Sequence, residues 1–446
     1  MMKIVIIGGV AAGMSAAARA RRSLKDAQII VFEQGDLVSF GACGLPYYAG
    51  AWFDDPAFML ARTPEQLRGS GIDVRLHHRV TSVNHAARTV SVTNLDSGEA
   101  HEESFDRLMI ATGANPIRPP FPGIELANIQ TLTKMADGEK LRSALADPAC
   151  REVVVIGAGF IGLETVEACL HRGKSVRLIQ LDDRVLIDAF DKEITDLLEK
   201  HLADSGVRLH LSEAVASFKG VDGKLAEVVT DKGSYPADLA VLAVGVRPAT
   251  AFLAGSGVET LPNGAVIVDR DGGTNLPHVY AAGDCASVPL ALDGSPAYVP
   301  LATGANKLGR VVGDVLAGKP ARYPGSLSSA CIKVLGIEAG RTGISERDAT
   351  RKGVACKTVF IQDKDHANYW PGQSDIAVKL LYDPESRKLI GGQVAGGQGA
   401  VLRTDVLAAA ITGGLTVDQL GMLDLCYAPP FSRTWDVLNV AGNVAK

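Results

Sequence analysis

Two short apolar runs, each ending in a glycine turn, are the first recognisable pattern in the chain. They are Lys3–Ile7, followed by Gly8, and Glu152–Ile156, followed by Gly157. Continuous runs of β-branched residues are typical of strands buried on both faces of a parallel sheet. Each run therefore predicts the first strand of a doubly wound domain.

Helical patterns follow both turns, at Ala11–Ser23 and Phe160–Arg172, and apolar strands come next, at Ala27–Phe32 and Ser175–Ile179. A strand, a glycine turn, a helix and a second strand make the βαβ motif that binds dinucleotides. The pattern predicts two such motifs in one chain.

Three later apolar runs predict further buried strands, at Leu108–Gly113, Leu239–Gly245 and Val279–Asp284. We expect the last of them to return the chain to the first doubly wound domain. From about Arg322 the pattern changes to alternating strands and then to a helix near Thr404–Thr412, which is typical of an α+β domain. The strands predicted there are Ala355–Gln362, Asp375–Tyr382 and Leu389–Val394.

The predicted fold class is therefore α/β, with two doubly wound dinucleotide-binding domains and an α+β C-terminal domain. A length of 446 residues is compatible with three domains. The predicted boundaries are 1–115 with 250–321 for the first domain, 116–249 for the second and 322–446 for the third.

Composition excludes several classes of protein. With 47% hydrophobic and 21% charged residues the chain is ordinary globular protein. A net charge of −5 provides no general basic field for nucleic acid or an anionic membrane. No apolar run approaches the roughly 20 residues of a membrane span, and the N-terminus lacks the features of a signal peptide. We therefore expect a cytoplasmic protein without nucleic-acid or membrane partners.

The seven cysteines are widely spaced, odd in number and without a CxxC pair. Neither a disulfide framework nor a zinc site is indicated, and we predict no metal.

The second glycine turn carries the complete dinucleotide fingerprint, with Gly157, Gly159 and Gly162 between a strand and a helix. Glycines at this spacing let the backbone approach a pyrophosphate, and the helix N-terminus offers N–H groups to it. This turn predicts a dinucleotide site.

The first turn keeps Gly8 and Gly13 but has Val10 in place of the middle glycine. Glu33 lies 20 residues after Gly13, where an acid accepts hydrogen bonds from ribose hydroxyls. The matching position of the second motif is Gln180, which leaves the choice between NAD and NADP open. Two dinucleotide sites in one chain indicate electron transfer between two cofactors, with a flavin and a nicotinamide as the natural pair.

Cys43 lies in the segment Ser39–Tyr48, among small residues. A reactive cysteine needs a positive environment that favours its thiolate, which a helix N-terminus supplies. The alternative is a buried, inert thiol.

The order of these motifs resembles the flavin disulfide reductase superfamily, over essentially the whole chain. The motifs are the Gly8 turn, Glu33, Ser39–Tyr47, Ala111–Gly113, Gly157–Glu164, Ala282–Asp284 and Tyr427–Ser432. More narrowly, the chain resembles the single-cysteine branch that contains coenzyme A disulfide reductases, NADH oxidases, NADH peroxidases and persulfide reductases.

The resemblance implies that the first domain binds FAD, that the second binds NADH or NADPH and that the third is a dimerisation domain. The residues implied for FAD are Gly8, Gly13, Glu33, Ala111, Thr112, Gly113 and Asp284. Those implied for the nicotinamide cofactor are Gly157, Gly159, Gly162, Glu164 and Gln180.

Two features favour a coenzyme A disulfide reductase within this branch. Peroxidase and oxidase members usually carry a histidine in the first turn, where this chain has Val10–Ala12. Tyr369 and Tyr427 lie in segments that resemble those contributing two tyrosines across a homodimer interface. The resemblance thus implies Cys43 as the redox-active thiol and the two tyrosines as catalytic groups, since a phenol can protonate a leaving thiolate.

The substrate implied by this resemblance is a small disulfide or persulfide that carries coenzyme A. Its phosphates need cations, and the residues implied are Arg19, Arg22, Ser39 and Arg62. For His366 we favour a structural role with its ring nitrogens satisfied, and we expect Cys285 and Cys426 to be buried.

Other activities remain open. The same residues suit an NAD(P)H-dependent persulfide or polysulfide reductase, and we expect no fused rhodanese domain after Lys446, which favours a small disulfide. An NADH oxidase would take Cys43 to a sulfenic acid. A different class is an electron-transfer or redox-sensing flavoprotein that serves a protein partner.

Overall fold

The computed structural model describes all residues of the chain, Met1–Lys446. The strands, in chain order, are β1 Lys3–Ile7, β2 Gln28–Phe32, β3 Asp73–Arg75, β4 His78–Asn84, β5 Thr89–Asn94, β6 Ala100–Ser104, β7 Arg107–Ile110, β8 Ala114–Pro116, β9 Ile129–Gln130, β10 Glu152–Ile156, β11 Ser175–Ile179, β12 Arg208–His210, β13 Val215–Val221, β14 Lys224–Thr230, β15 Ser234–Pro236, β16 Leu239–Leu242, β17 Val246–Pro248, β18 Val279–Ala281, β19 Val288–Pro289, β20 Pro296–Ala297, β21 Ala330–Val334, β22 Ile337–Gly343, β23 Lys357–Lys364, β24 Asp375–Tyr382 and β25 Leu389–Gly396.

The α-helices are α1 Ala11–Ser23, α2 Leu45–Ala49, α3 Pro64–Gly69, α4 Met135–Ala146, α5 Phe160–His171, α6 Lys192–Asp204, α7 Ala302–Leu316, α8 Glu346–Lys352, α9 Ala400–Thr412, α10 Val417–Gly421 and α11 Val437–Val444. Short 3-10 turns lie at Ala42–Gly44, Pro56–Met59 and Ala251–Leu253. None of the helices combines the length and apolar character that a membrane span requires.

The chain forms two compact units. Unit 1 comprises Met1–Leu45, Phe53–Pro116 and Val246–Ser326, and unit 2 comprises Pro46–Trp52, Ile117–Gly245 and Leu327–Lys446. The predicted boundaries between three domains stay predictions.

Unit 1 is built on a five-stranded parallel sheet with the order β18-β7-β1-β2-β3. Ile4, Val5 and Ile6 in its central strand have no exposed surface. This is the burial on both faces that a continuous apolar run predicts. β18 pairs with β7, so the run that begins at Val279 does return to the first sheet.

Unit 2 contains a second parallel sheet, with the order β12-β11-β10-β16-β9. It also contains an antiparallel sheet with the order β21-β22-β25-β24-β23. Val378, Leu380 and Val394 of this antiparallel sheet share a buried core with Leu407 of α9 and Leu438 of α11. Helices packed on an antiparallel sheet are the α+β arrangement predicted for the C-terminal part.

Candidate functional site

The first glycine turn joins β1 to α1 in unit 1. A Cβ atom on Gly13 would lie 1.9 Å from the Gly8 carbonyl oxygen, so a side chain here would push the helix away from the turn. Only glycine permits this close approach. The N-terminal N–H groups of α1 therefore lie directly behind the turn.

Glu33 follows β2 and holds this turn from the side. Its Oε2 accepts a hydrogen bond of 2.8 Å from the Gly9 N–H, and its Oε1 accepts one of 2.8 Å from the Gly35 N–H. Two backbone donors thus fix the carboxylate beside the turn, at the end of the second strand, where the sequence places a ribose-binding acid.

Two buried hydroxyl groups of unit 1 have no protein partner. The Thr112 Oγ1 and the Tyr298 Oη are buried and have no hydrogen-bond partner. Burial raises the pKa of the Asp284 carboxyl, and burial together with the Asp284 charge raises the pKa of Tyr298. Buried hydroxyls are costly when unpaired, so these groups fit a polar ligand. Tyr298 is absent from the sequence prediction, because it belongs to no recognisable motif.

The second glycine turn joins β10 to α5 in unit 2 and repeats the design of the first. A Cβ atom on Gly162 would lie 2.0 Å from the Gly157 carbonyl oxygen, whereas one on Gly159 would meet nothing within 4 Å. The backbone of the turn is therefore packed tightly against Gly162, whereas the space next to Gly159 is open. The open side is the cradle that a pyrophosphate needs.

Gln180 occupies the place of Glu33 beside this second turn. Its Oε1 accepts a hydrogen bond of 2.9 Å from the Ala158 N–H. Its Nε2 donates a hydrogen bond of 2.8 Å to the Asp182 Oδ2. A carboxylate is thus present near this position as well, three residues beyond the end of β11.

Glu164 lies on the first turns of α5, close to Tyr47. The Tyr47 Oη is 3.5 Å from the Glu164 Oε1. Burial raises the pKa of Glu164 to about 7. Burial, followed by the Glu164 charge, raises the pKa of Tyr47 to about 12. Tyr47 is therefore a neutral donor facing a carboxyl that titrates near neutral pH, a pairing that sequence reasoning missed.

The segment Pro46–Trp52 makes further contacts within unit 2. The Trp52 indole stacks on the His171 imidazole, with ring centroids 4.1 Å apart and planes 13° from parallel. The His171 Nδ1 donates a hydrogen bond of 2.8 Å to the Gly50 carbonyl oxygen. The Arg142 guanidinium lies 4.7 Å from the centroid of the Tyr48 ring. These contacts hold Tyr48, Gly50 and Trp52, which follow Cys43 in the chain.

Cys43 itself is exposed on the 3-10 turn Ala42–Gly44 in unit 1. Two residues before it, Gly41 lines a cavity of about 660 Å³ within the same unit. Ser39 and Phe40 line it too. The cavity thus leads to the backbone of the cysteine turn.

The cavity brings together all four residues predicted to bind substrate, namely Arg19, Arg22, Ser39 and Arg62. Two further cations line it from α7, Lys307 and Arg310. The sequence carried a signal for them that was not used. The buried positions of α7 repeat at helical spacing, so the cations at its exposed positions could have been assigned to one face.

Most of these cations have no protein partner. The Arg19 Nε forms an ion pair of 2.7 Å with the Asp314 Oδ1. The side chains of Arg22, Arg62, Lys307 and Arg310 form no hydrogen bond or ion pair. Four uncompensated cations around one cavity create a local positive field in a chain whose net charge is negative.

Tyr369 and Tyr427 lie in unit 2, and their hydroxyl oxygens are 3.0 Å apart. Both side chains are exposed. The hydrogen bond to Tyr427 raises the pKa of Tyr369. The structure thus brings the two predicted tyrosines together.

Two smaller expectations need correction here. Cys426 is exposed, not buried, because it lies in an irregular segment after α10, whereas Cys285 is fully buried as expected. His366 is buried, but only its Nδ1 has a polar neighbour, at 2.8 Å from the Asp365 Oδ1. Its Nε2 has no hydrogen-bond partner.

Comparisons with known proteins decide the family. The model of the pyridine nucleotide-disulphide oxidoreductases matches residues 2–306, and the model of their dimerisation domain matches residues 329–437. The chain belongs to the pyridine nucleotide-disulphide oxidoreductase family. The predicted family, α/β fold class and enzyme class are therefore confirmed, as are FAD and a pyridine nucleotide as its cofactors.

Relatives of this oxidoreductase carry several activities. It is 36% identical over 445 residues to an NAD(P)H coenzyme A polysulfide/persulfide reductase of Pyrococcus horikoshii, covering 100% of this chain and 98% of that protein. It is 33% identical to an NADH oxidase of Enterococcus faecalis, covering 100% and 99%. The structure of an NAD-dependent persulfide reductase from A. fulgidus matches with a TM-score of 0.95 and 37% identity, covering 99% of this chain and 82% of that one.

Proposed function

We propose that this oxidoreductase reduces a sulfur–sulfur bond in a substrate that carries coenzyme A, either a coenzyme A persulfide or coenzyme A disulfide. The observation that carries this proposal is the cavity beside the Cys43 turn, with its four unpartnered cations. Coenzyme A has several phosphate groups at one end and a sulfur at the other. The cavity offers the matching charges and extends to Gly41, two residues before Cys43.

The cations suit phosphate because each retains its full set of donors. Arginine forms charge-assisted hydrogen bonds to phosphate oxygens in a planar fork, and lysine acts as a point charge. Arg22 and Arg62 approach the cavity from segments before and after Cys43, and Lys307 and Arg310 approach it from α7. Because Arg19 forms an ion pair with Asp314, we assign it a structural role in the wall of the cavity.

The relatives support the sulfur substrate. Coenzyme A and persulfide or polysulfide both occur in the name of the Pyrococcus horikoshii relative, and persulfide in that of the A. fulgidus structure. We therefore place coenzyme A persulfide beside coenzyme A disulfide as a substrate of equal standing.

The two cofactor sites fit their ligands. We assign FAD to Gly8, Gly13, Glu33, Ala111, Thr112, Gly113 and Asp284, to which the unpartnered hydroxyl of Tyr298 is added. We assign NADH or NADPH to Gly157, Gly159, Gly162, Glu164 and Gln180. When bound, this cofactor pair supplies two electrons to sulfur.

Cys43 performs the bond exchange. Its thiolate attacks the coenzyme A sulfur, a disulfide between Cys43 and coenzyme A forms, and the original sulfur–sulfur bond breaks. The leaving group is hydrosulfide from a persulfide, or a second coenzyme A thiolate from the disulfide. The two electrons then cleave the mixed disulfide and return Cys43 as a thiolate, with coenzyme A released as its thiol.

The tyrosine pair supplies the proton for the leaving group. We propose that the protein is a homodimer and that Tyr427 and Tyr369 of each subunit serve the Cys43 site of the other. When Tyr369 donates its hydrogen bond to Tyr427, the proton of Tyr427 remains available for the leaving thiolate.

NADH oxidation by oxygen is the second candidate, and the Enterococcus faecalis relative supports it. The absence of a histidine from Val10–Ala12 disfavours it. An electron-transfer flavoprotein is disfavoured in turn, because it would need neither Cys43 nor the cationic cavity.

The test is anaerobic oxidation of NADH and NADPH by the holoenzyme, with coenzyme A persulfide or coenzyme A disulfide as the sole acceptor. We compare the native protein, Cys43→Ser and Cys331→Ser. Cys331 is an exposed cysteine of unit 2 and serves as the matched control. We expect turnover by the native and Cys331→Ser proteins and its loss in Cys43→Ser, with equimolar hydrosulfide released from the persulfide.

Other outcomes would redirect the proposal. Turnover that needs added oxygen would move the protein to the oxidases. A Cys43→Ser protein that keeps its full rate with a protein acceptor would make it an electron-transfer flavoprotein.

A further inference from the structure

Neither tyrosine of the exposed pair belongs to a helix or a strand. Tyr369 lies in the loop between β23 and β24, and Tyr427 lies in the irregular segment between α10 and α11. Their side chains are 70% and 45% exposed, so packing contributes little to their position. Loops without packed side chains are mobile unless other contacts hold them. The hydrogen bond of 3.0 Å between the two hydroxyl groups therefore requires contacts that keep the two loops together.

One guanidinium group joins the two loops. The Arg403 Nη2 donates a hydrogen bond of 2.9 Å to the Asp365 carbonyl oxygen and one of 3.0 Å to the Phe431 carbonyl oxygen. Asp365 lies four residues before Tyr369, and Phe431 lies four residues after Tyr427. Because the two hydrogens of this nitrogen lie in the rigid guanidinium plane, Arg403 fixes the spacing of the two carbonyl groups.

The Arg403 side chain is itself anchored to regular structure. It extends from α9, whose Leu407 packs in the core of the antiparallel sheet. Its Nε donates a hydrogen bond of 2.9 Å to the Asp436 Oδ2, and the Asp436 Oδ1 accepts one of 3.0 Å from the Leu438 N–H at the start of α11. The two charged side chains are 11% and 9% exposed, so salt screens this ion pair less than a surface pair. Two helices thus support the link between the loops.

We propose that Arg403 is a positioning residue for the tyrosine pair and holds both loops in the arrangement in which Tyr427 keeps a proton for the leaving thiolate. This inference rests on the role of the tyrosines under the proposed function. Proton transfer needs the acid within hydrogen-bond distance of the leaving group, so a displaced loop slows the reaction. Arg403 acts through Tyr369 and Tyr427 and does not itself touch the reacting sulfur.

The alternative is that Arg403 only stabilises the fold, and Arg387 provides the comparison. Its Nε and Nη2 donate hydrogen bonds of 2.7 Å and 2.8 Å to the Asp418 carboxylate, and its Nη2 also donates one of 3.2 Å to the Ala445 carbonyl oxygen. Arg387 thus joins a carboxylate to a backbone carbonyl in the same unit, but it belongs to neither tyrosine loop. Lysine keeps the charge and loses the planar fork at either position.

The first experiment records fluorine NMR spectra of the FAD-loaded protein labelled with fluorotyrosine. Tyr369→Phe and Tyr427→Phe assign the two resonances. We expect Arg403→Lys to shift both of them, because the two phenols lose their fixed hydrogen bond, whereas Arg387→Lys should leave them in place. Asp436→Asn weakens the anchor of the guanidinium and retains an oxygen to cap α11, so it should shift them in the same direction.

The second experiment measures anaerobic NADH oxidation by the same proteins with coenzyme A persulfide. Arg403→Lys should lower kcat about tenfold and change KM less than about twofold, because the cations of the cavity are unaltered. In a Tyr427→Phe background the same substitution should lower kcat less than about twofold, since the group through which it acts is absent. Arg387→Lys should have the native kcat in both backgrounds.

Three results would overturn the inference. They are native fluorotyrosine resonances in Arg403→Lys, equal shifts in Arg387→Lys, and the same loss of kcat from Arg403→Lys with and without Tyr427. If Arg403→Lys does not fold, Asp436→Asn replaces it in both experiments. Because the NMR experiment contains no sulfur substrate, shifted resonances in a protein that fails to reduce the persulfide would contradict the proposed function and leave the link between the loops in place.

Discussion

Arg22, Arg62, Lys307 and Arg310 differ from most surface cations because they share one cavity and no acid neutralises them. Cations in this situation repel one another, so an anionic ligand relieves an unfavourable field as well as gaining contacts. Their effect on binding should therefore be larger than that of isolated surface charges.

The single substitutions Arg22→Ala and Arg310→Ala should each weaken binding of reduced coenzyme A about tenfold. Each substitution removes a charge-assisted hydrogen bond to phosphate. Raising the salt concentration should weaken binding by the native protein more than by a variant that carries both substitutions, Arg22→Ala and Arg310→Ala. Calorimetric titration of the holoenzyme measures both effects. Lys319→Ala, an exposed cation outside the cavity, is the control, and a similar loss there would contradict the assignment.

The raised pKa of Glu164 predicts that the free energy of unfolding depends on pH. The pKa of Glu164 rises from 4.5 to about 7 in the folded protein, chiefly because of burial. The folded state therefore binds more protons than the unfolded state between these pH values, and stability falls as pH rises through this window. Glu164→Gln removes this dependence and should raise the free energy of unfolding at pH 8 by up to about 3 kcal/mol, with little change at pH 4.

Urea unfolding of the holoenzyme at several pH values measures this difference. Glu385→Gln, at an exposed carboxyl, should leave the pH dependence unaltered. A Glu164→Gln protein with the native pH dependence would show that this carboxyl is ionised normally.

At the scale of the elements, the two glycines of the second turn should respond in opposite ways to the same substitution. Gly162→Ala places a methyl group 2.0 Å from a carbonyl oxygen, so α5 must shift and the melting temperature should fall by several degrees. Gly159→Ala enters open space, so the fold should persist while the methyl group obstructs the pyrophosphate. Its expected effect is weaker binding of ADP-ribose, about tenfold or more.

Thermal unfolding and calorimetry of both variants make the comparison. Equal loss of stability in the two would contradict the geometry of the turn.

The elements that the sequence predicted best are those whose local pattern decides their structure. α1, β11 and β24 have the predicted limits, because the apolar periodicity within each segment decides its structure. α9 begins at Ala400, four residues before the predicted start, because a Gly399 turn provides its N-terminus. Pattern alone gave no reason to place it there.

The residues of the candidate site divide in the same way, into those that a sequence motif identifies and those that it does not. The glycine turns, Glu33 and Cys43 follow from motifs in the sequence. Tyr47 and Tyr298 could not be assigned, because their environment arises from residues far away in the chain. For Lys307 and Arg310 helical spacing could predict a shared exposed face, but not the cavity that this face lines. Arg19 could not be distinguished from Arg22 until its ion pair with Asp314 was seen.

For the whole molecule, the proposed dimer makes a prediction that only mixed subunits can test. Cys43→Ser and Tyr427→Phe proteins should each reduce substrate poorly. A dimer with one subunit of each kind contains one complete site if Tyr427 acts on the partner's cysteine, and none if it acts on its own. Random exchange should then recover about a quarter of the native activity.

The measurement is NADH oxidation after the two variants are mixed, dissociated and reassociated. Mixing native with Cys43→Ser protein controls for losses during exchange. No recovery in the mixed sample would place the tyrosine and the cysteine of one site in the same subunit.

The stack of Trp52 on His171 has an optical consequence. The stacked imidazole sets the surroundings of the indole, so Trp52 emission should change whenever cofactor or substrate displaces the segment after Cys43 and separates the two rings. Trp52 is therefore an intrinsic fluorescent reporter near Cys43 in the chain, and its signal can be followed in real time without an added dye.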